Sequence, residues 1–114
     1  MFQWNEEMVR FMRDASEYSD YHRRLVQWML PDLHPGDHIC DAGCGLGYLS
    51  LALSPYVRRV TAADRSQEAL SVLRENCTRR AVQNIDIRSG DIRADLPDAA
   101  YDAMVSVSYT HLRA

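Results

Sequence analysis

The chain has 114 residues, 46% hydrophobic and 25% charged, the composition of an ordinary soluble globular domain. A formal net charge of −3 excludes a general electrostatic drive toward nucleic acid or anionic membrane, leaving only a local basic patch open. No apolar run approaches the length of a membrane span, and residues such as Glu6, Glu7, Arg10 and Asp14 leave no room for the apolar core of a secretory signal. Three cysteines cannot all pair within one chain, so a reducing, cytoplasmic setting is expected.

In chain order, apolar residues recur at helical spacing from Trp4 through Met8, Phe11, Ala15 and Tyr18, then at Tyr21, Leu25 and Met29. Ser19-Asp20 interrupts with N-cap chemistry, so two helices or one kinked helix are expected, with Pro31 as the stop. Residues 1–36 thus form an N-terminal helical cap segment, closed by the turn Leu33-His34-Pro35-Gly36. A short buried strand, His38-Ile39-Cys40, then runs into Asp41-Ala42-Gly43-Cys44-Gly45-Leu46-Gly47, and Tyr48 to Leu53 leave it as a short helix. Three glycines at alternate positions allow backbone conformations closed to other residues and leave the loop without Cβ atoms toward a ligand.

Ser54-Pro55 breaks that helix, and Arg59 to Ala63 read as a second buried strand ending at Asp64. Ser66 caps a helix from Gln67 to Arg80 whose apolar face is Ala69, Leu70, Leu73 and Cys77. Ile85 to Arg88 form a third strand closing on Ser89-Gly90-Asp91, and Tyr101 to Ser106 a fourth. Strands alternating with helices imply an α/β fold with a parallel sheet, whose ligands sit outside the carboxyl ends of the strands. Residues 37–107 make up this core, incomplete at its C-terminal side. The last residues, 108–114, resemble translated adaptor sequence and are set aside as a doubtful tail, with a genuine loop as the alternative. If the chain ends there, the fourth strand becomes an exposed edge that invites association.

From Asp37 to Ser106 the chain resembles the class I S-adenosylmethionine-dependent methyltransferases. Four features carry the resemblance in order: the acid and three alternating glycines from Asp41 to Gly47; Asp64 at the end of the second strand; Gly90-Asp91-Ile92 with Leu96-Pro97 shortly after; and Tyr101 to Val105 as the fourth strand. The resemblance implies a Rossmann-like parallel sheet of order 3-2-1-4 and S-adenosylmethionine as cofactor. It places Gly43, Cys44 and Gly45 along the methionyl portion, with Asp41 organising the loop and Gly47 counted among the cofactor-binding residues. Asp64 would accept hydrogen bonds from the ribose hydroxyls, Asp91 would take the adenine amine and Ile92 would contact the ring; Arg65 is a candidate for the adenosine edge, with a solvated arginine as the alternative.

The chemistry of the ligand agrees. S-adenosylmethionine carries a sulfonium, an ammonium and a ribose diol but no phosphate, so its site needs acids and open backbone. A lone Asp at a strand end is ordinarily a cap or a turn former. It is the register of Asp64 and Asp91 behind the glycine loop that makes them ligand candidates. Losing Asp64 should weaken cofactor binding roughly tenfold or more.

A nicotinamide dinucleotide site fits less well, because that fingerprint wants G-x-G-x-x-G and Tyr48 stands at its third glycine. A zinc site at His38, Cys40 and Cys44 lacks paired ligands from a second segment, and Cys77 reads as core. Asp102 reads as structural, whereas Tyr18 and Tyr21 are candidates to fold over the cofactor. Methyl transfer to an unidentified acceptor is therefore expected, with the negative charge favouring a small molecule over a polyanion and a nucleic-acid or protein acceptor left open. A non-catalytic module that binds cofactor or a partner subunit is the alternative. No catalytic base is assigned, and the segment alone is expected to be inactive, because acceptor contacts ordinarily follow the fourth strand.

Overall fold

The computed structural model describes residues 6–7, 21–90 and 101–105. Most of the expected front helix, Asp91 and Ile92, and the tail 108–114 lie outside the described residues. Helix α1 spans Tyr21–Met29. Its inward stripe is His22, Leu25, Val26 and Met29, with Val26 1% exposed and Tyr21 at the margin at 56%. The expected row from Tyr21 is therefore turned by one residue, because His22 at i, i+3, i+4 spacing to Leu25 and Val26 shares their face. The α-helix ends at Met29, just before Pro31, as expected. Pro31 sits in the first turn of a 3-10 segment, Leu30–Asp32, where its missing N–H costs nothing.

A turn closed by Asp37, whose Oδ2 accepts from the His34 N–H at 2.8 Å, delivers the chain into β1, His38–Ala42. Helix α2, Tyr48–Leu53, runs into a 3-10 turn at Ser54–Tyr56. Strand β2 is Arg59–Asp64, helix α3 Gln67–Arg80, β3 Ile85–Ser89 and β4 Ala103–Val105. Ser66 caps α3 as its sequence predicts, its hydroxyl accepting from the Ala69 N–H at 3.1 Å. The α3 face buries Ala69, Leu70 and Leu73 as expected, with Asn76 added and Cys77 half-buried.

The four strands are parallel in the order β3-β2-β1-β4, the expected Rossmann-like arrangement. Ile39, Cys40 and Asp41 of β1, and Val60 to Ala63 of β2, are buried, as central parallel strands require. Two apolar clusters lie side by side across the sheet. Val26, Ile39, Leu49, Leu53, Val57 and Val60 join α1 and α2 to β1 and β2. Cys44, Leu46, Tyr48, Leu51, Ala62, Ala69, Leu70 and Leu73 join the glycine loop, α2 and α3 to β2. Val60 and Ala62 point to the same side of β2, so α2 and α3 cover one continuous face. Asp41 stands on that covered face, beneath α2.

Candidate functional site

The carboxyl ends of β1 and β2 meet in one hub. Gly43, Gly45 and Gly47 all adopt left-handed φ values, at 66°, 58° and 82°, which is why alternate positions of the loop hold glycine. The Cys44 N–H donates to the Ala63 carbonyl at 2.9 Å, tying the loop to the last turn of β2. Asp64 completes the hub. Its Oδ2 accepts from the Gly45 N–H at 2.9 Å, and its Oδ1 accepts from the Ser66 N–H at 2.8 Å. Its carbonyl accepts from the Gly90 N–H at 3.1 Å, which draws in the end of β3. Each carboxylate oxygen has used about one of its two lone-pair positions, so the half-buried group retains capacity for ligand hydroxyls.

Asp41 differs in kind. It is wholly buried at 0% exposure, one residue inside β1 rather than in the loop. The Ser50 hydroxyl donates to its Oδ2 at 2.6 Å, while Oδ1 has no hydrogen-bond partner among the described residues. Burial pushes the carboxyl group up to about 7; the Ser50 hydrogen bond opposes the rise and the neighbouring Asp64 charge adds to it. Near neutral pH this acid therefore stands between its two protonation states.

The predicted glycine-loop residues divide into two sets. The missing Cβ of Gly47 would fall 2.3 Å from Leu73 Cδ1, so this glycine lets the start of α2 close against α3. The Cys44 side chain is 9% exposed and packs with Leu46 and Leu73. Burial pushes its thiol far up, so the Cys44 backbone, not its sulfur, is what the loop offers a ligand. Arg65 is exposed beside Asp64. Asp91 and Ile92 follow Gly90 directly but lie outside the described residues, as does Tyr18.

Helix α1 docks on the start of α2 through aromatic contacts. The His22 and Tyr48 rings are 6.0 Å apart, and Tyr21 meets His22 edge-on at 5.1 Å. Burial lowers the His22 pKa, favouring the neutral ring. Ser50 is the residue that sequence reasoning missed. Its signal was a serine set between Leu49 and Leu51 in an otherwise apolar helix, where a hydroxyl needs a partner.

Residues 39–114 match the family described as the methyltransferase domain. A malonyl-[acyl-carrier protein] O-methyltransferase of Serratia marcescens is 42% identical over 74 residues, covering 64% of this chain and 27% of that protein. A 23S rRNA (uracil(1939)-C(5))-methyltransferase of Shewanella is 34% identical over 73 residues, covering 64% of this chain and 16% of that protein. The chain thus spans less than a third of the length of these two relatives. Among solved structures, a candidate S-adenosyl-L-methionine-dependent methyltransferase of Methanococcus maripaludis superposes with a TM-score of 0.78. It covers 93% of this chain and 53% of that one at 20% identity, a likeness of fold alone.

Proposed function

Because the chain belongs to the methyltransferase domain family, we propose that its carboxyl-end hub binds S-adenosylmethionine for transfer of the methyl group to a small-molecule acceptor. The observation that carries this is the meeting of Asp41, Asp64 and three left-handed glycines at the ends of adjacent parallel strands. The residues fit the cofactor. A buried carboxyl group with one unpartnered oxygen beside a second acid suits a ligand bearing sulfonium and ammonium charges, and would repel a pyrophosphate. Asp64 holds the loop by one side of its carboxylate and has lone pairs left for a ribose diol.

In this scheme Gly43, the Cys44 backbone and Gly45 lie along the methionyl portion. Asp91, Ile92 and Arg65 serve the adenosine end. The front segment to residue 36 caps the core that begins at residue 37, with Tyr21 at the margin of α1. The bound cofactor supplies a methyl group on a sulfonium, open to direct displacement. The chain's task is then to orient the reactants and exclude water, which is worth about 7–11 kcal/mol without any covalent intermediate. The net charge of −3 supports a small molecule over a polyanionic acceptor. The free thiols of Cys40, Cys44 and Cys77 support a reducing, cytoplasmic setting.

Isothermal titration tests the proposal. S-adenosylmethionine and its demethylated product should both bind, Asp64→Ala should weaken them tenfold or more, and nicotinamide dinucleotide should give no heat. Tight dinucleotide binding without S-adenosylmethionine binding would sink it. Cofactor binding without turnover on any small acceptor would leave the non-catalytic module as the better description.

A further inference from the structure

Ser50 and Asp41 form a wholly buried polar pair inside the apolar layer between α2 and the sheet. Both side chains are 0% exposed, and the 2.6 Å bond from the hydroxyl joins them. Alanine would suit a packing role there better, having the higher helix propensity and no group to satisfy. The hydroxyl therefore calls for a task that requires a hydrogen-bond donor.

The surroundings of Asp41 define that task. From β2, Asp64 presents a negative charge. The thiols of Cys40 on β1 and Cys44 in the loop are both pushed up by burial, Cys40 to about 12, so both are neutral. Strand β4 presents Val105 opposite Asp41, and α2 presents Ser50. No cation among the described residues contributes to the Asp41 environment. A carboxylate so enclosed is costly, and the group relieves the cost by keeping its proton.

We propose, on the premise that the hub binds S-adenosylmethionine, that Ser50 is a positioning residue whose hydroxyl lets Asp41 release its proton to solvent when the cationic cofactor enters. In the ligand-free site below neutral pH the carboxyl group is mostly the neutral acid, which avoids a buried charge beside Asp64. Entry of a cation at the loop that follows Asp41 favours the ionised form, and one proton passes from the carboxyl group to the buffer. The Ser50 hydrogen bond stabilises that ionised form and keeps Oδ2 fixed while it develops. Cofactor affinity should then strengthen as pH rises toward the midpoint of Asp41, and the ratio of wild-type to Ser50→Ala affinity, in which the cofactor's own ammonium titration cancels, should shrink above it.

The test uses the 114-residue chain with S-adenosylmethionine as probe. Titration calorimetry at pH 6.5, in buffers of different ionisation enthalpy, should show a large fraction of one proton released on binding. Ser50→Ala should bind about tenfold more weakly at pH 7 and return to the wild-type affinity at pH 9, where Asp41 is already ionised before binding. Ser50→Thr, which keeps the hydroxyl, should follow wild type. A Ser50→Ala loss that is equal at every pH, or no proton release by wild type, would overturn the proposal. The Asp41 carboxyl carbon, followed by NMR against pH in the ligand-free protein, gives a second readout. Its midpoint should move upward in Ser50→Ala, and an unmoved midpoint refutes the hold of Ser50 on Asp41. Failure of wild type to bind S-adenosylmethionine at any pH would defeat the functional reading instead, while the ligand-free titration still decides the pairing.

Discussion

The two ends of the same parallel strands are built on opposite principles. At the amino ends several polar groups are matched. The Asp102 carboxylate accepts from the His38 N–H at 2.7 Å, and the His38 ring meets Thr61 Oγ1 at 2.7 Å. Arg59 pairs with Asp86 across neighbouring strands, and the Asn84 amide donates to the Ser54 and Val57 carbonyls at 2.8 and 3.2 Å. At the carboxyl ends three glycines hold left-handed conformations, and Asp41 is buried with an oxygen unpaired. Among the described residues one end is rich in paired polar groups, and the other concentrates left-handed backbone and a buried acid, the pattern expected where function opposes stability.

Substitutions at each end can break or sharpen this contrast. The largest effect is expected at Gly47→Ala, which adds a Cβ against Leu73 to a residue held at a φ of 82°. Left-handed strain and overpacking together should cost about 2–4 kcal/mol and lower Tm by about 10 °C or more, measured by calorimetry. A double-mutant cycle with Leu73→Ala should return part of that loss, and full additivity would show that the overlap is not the cause.

Asp41→Asn should act in the opposite direction at high pH. An unfolded Asp ionises near 3.8, whereas folded Asp41 is raised to about 7. Between those values the native state holds a proton that the unfolded chain has released, so wild-type stability falls as pH rises from about 4 to about 7 and is flat above. Asn removes that slope. The variant should be more stable than wild type by about 1–3 kcal/mol at pH 8.5, and no more stable at pH 5. Its cofactor affinity should fall at both. A wild-type melting profile that is flat from pH 4 to 8 would contradict the buried-acid account.

Asn84→Ala, at the matched end, should cost about 1–2 kcal/mol through the Ser54, Val57 and Arg58 carbonyls it leaves short of a donor. Cofactor affinity should stay at the wild-type value; a tenfold loss would show that the two ends are coupled. The smallest effect is expected at Ala81, which closes α3 on the amino side of β3 with a φ of 56°. Ala81→Gly relieves that conformation and should gain up to about 1 kcal/mol without touching binding. A stabilising gain there would show that strain away from the hub is removable, as strain within it is not.

The sequence by itself determined the element order, the bounds of α2 and α3, the parallel sheet and the clustering of Asp41, Asp64 and the glycine loop. These follow from local signals: serine caps, proline and glycine breaks, and hydrophobic periods that change between strand and helix. Tertiary structure alone decided what each side chain does. It turned α1 onto His22 and Val26, set Gly47 against Leu73, joined Asp64 to the Gly45 amide and sealed Asp41 under Ser50. Each of those contacts joins residues from separate parts of the packed domain or settles which face of a helix is covered. Local propensity carries neither, because burial and partner are properties of the folded layer and not of the residue.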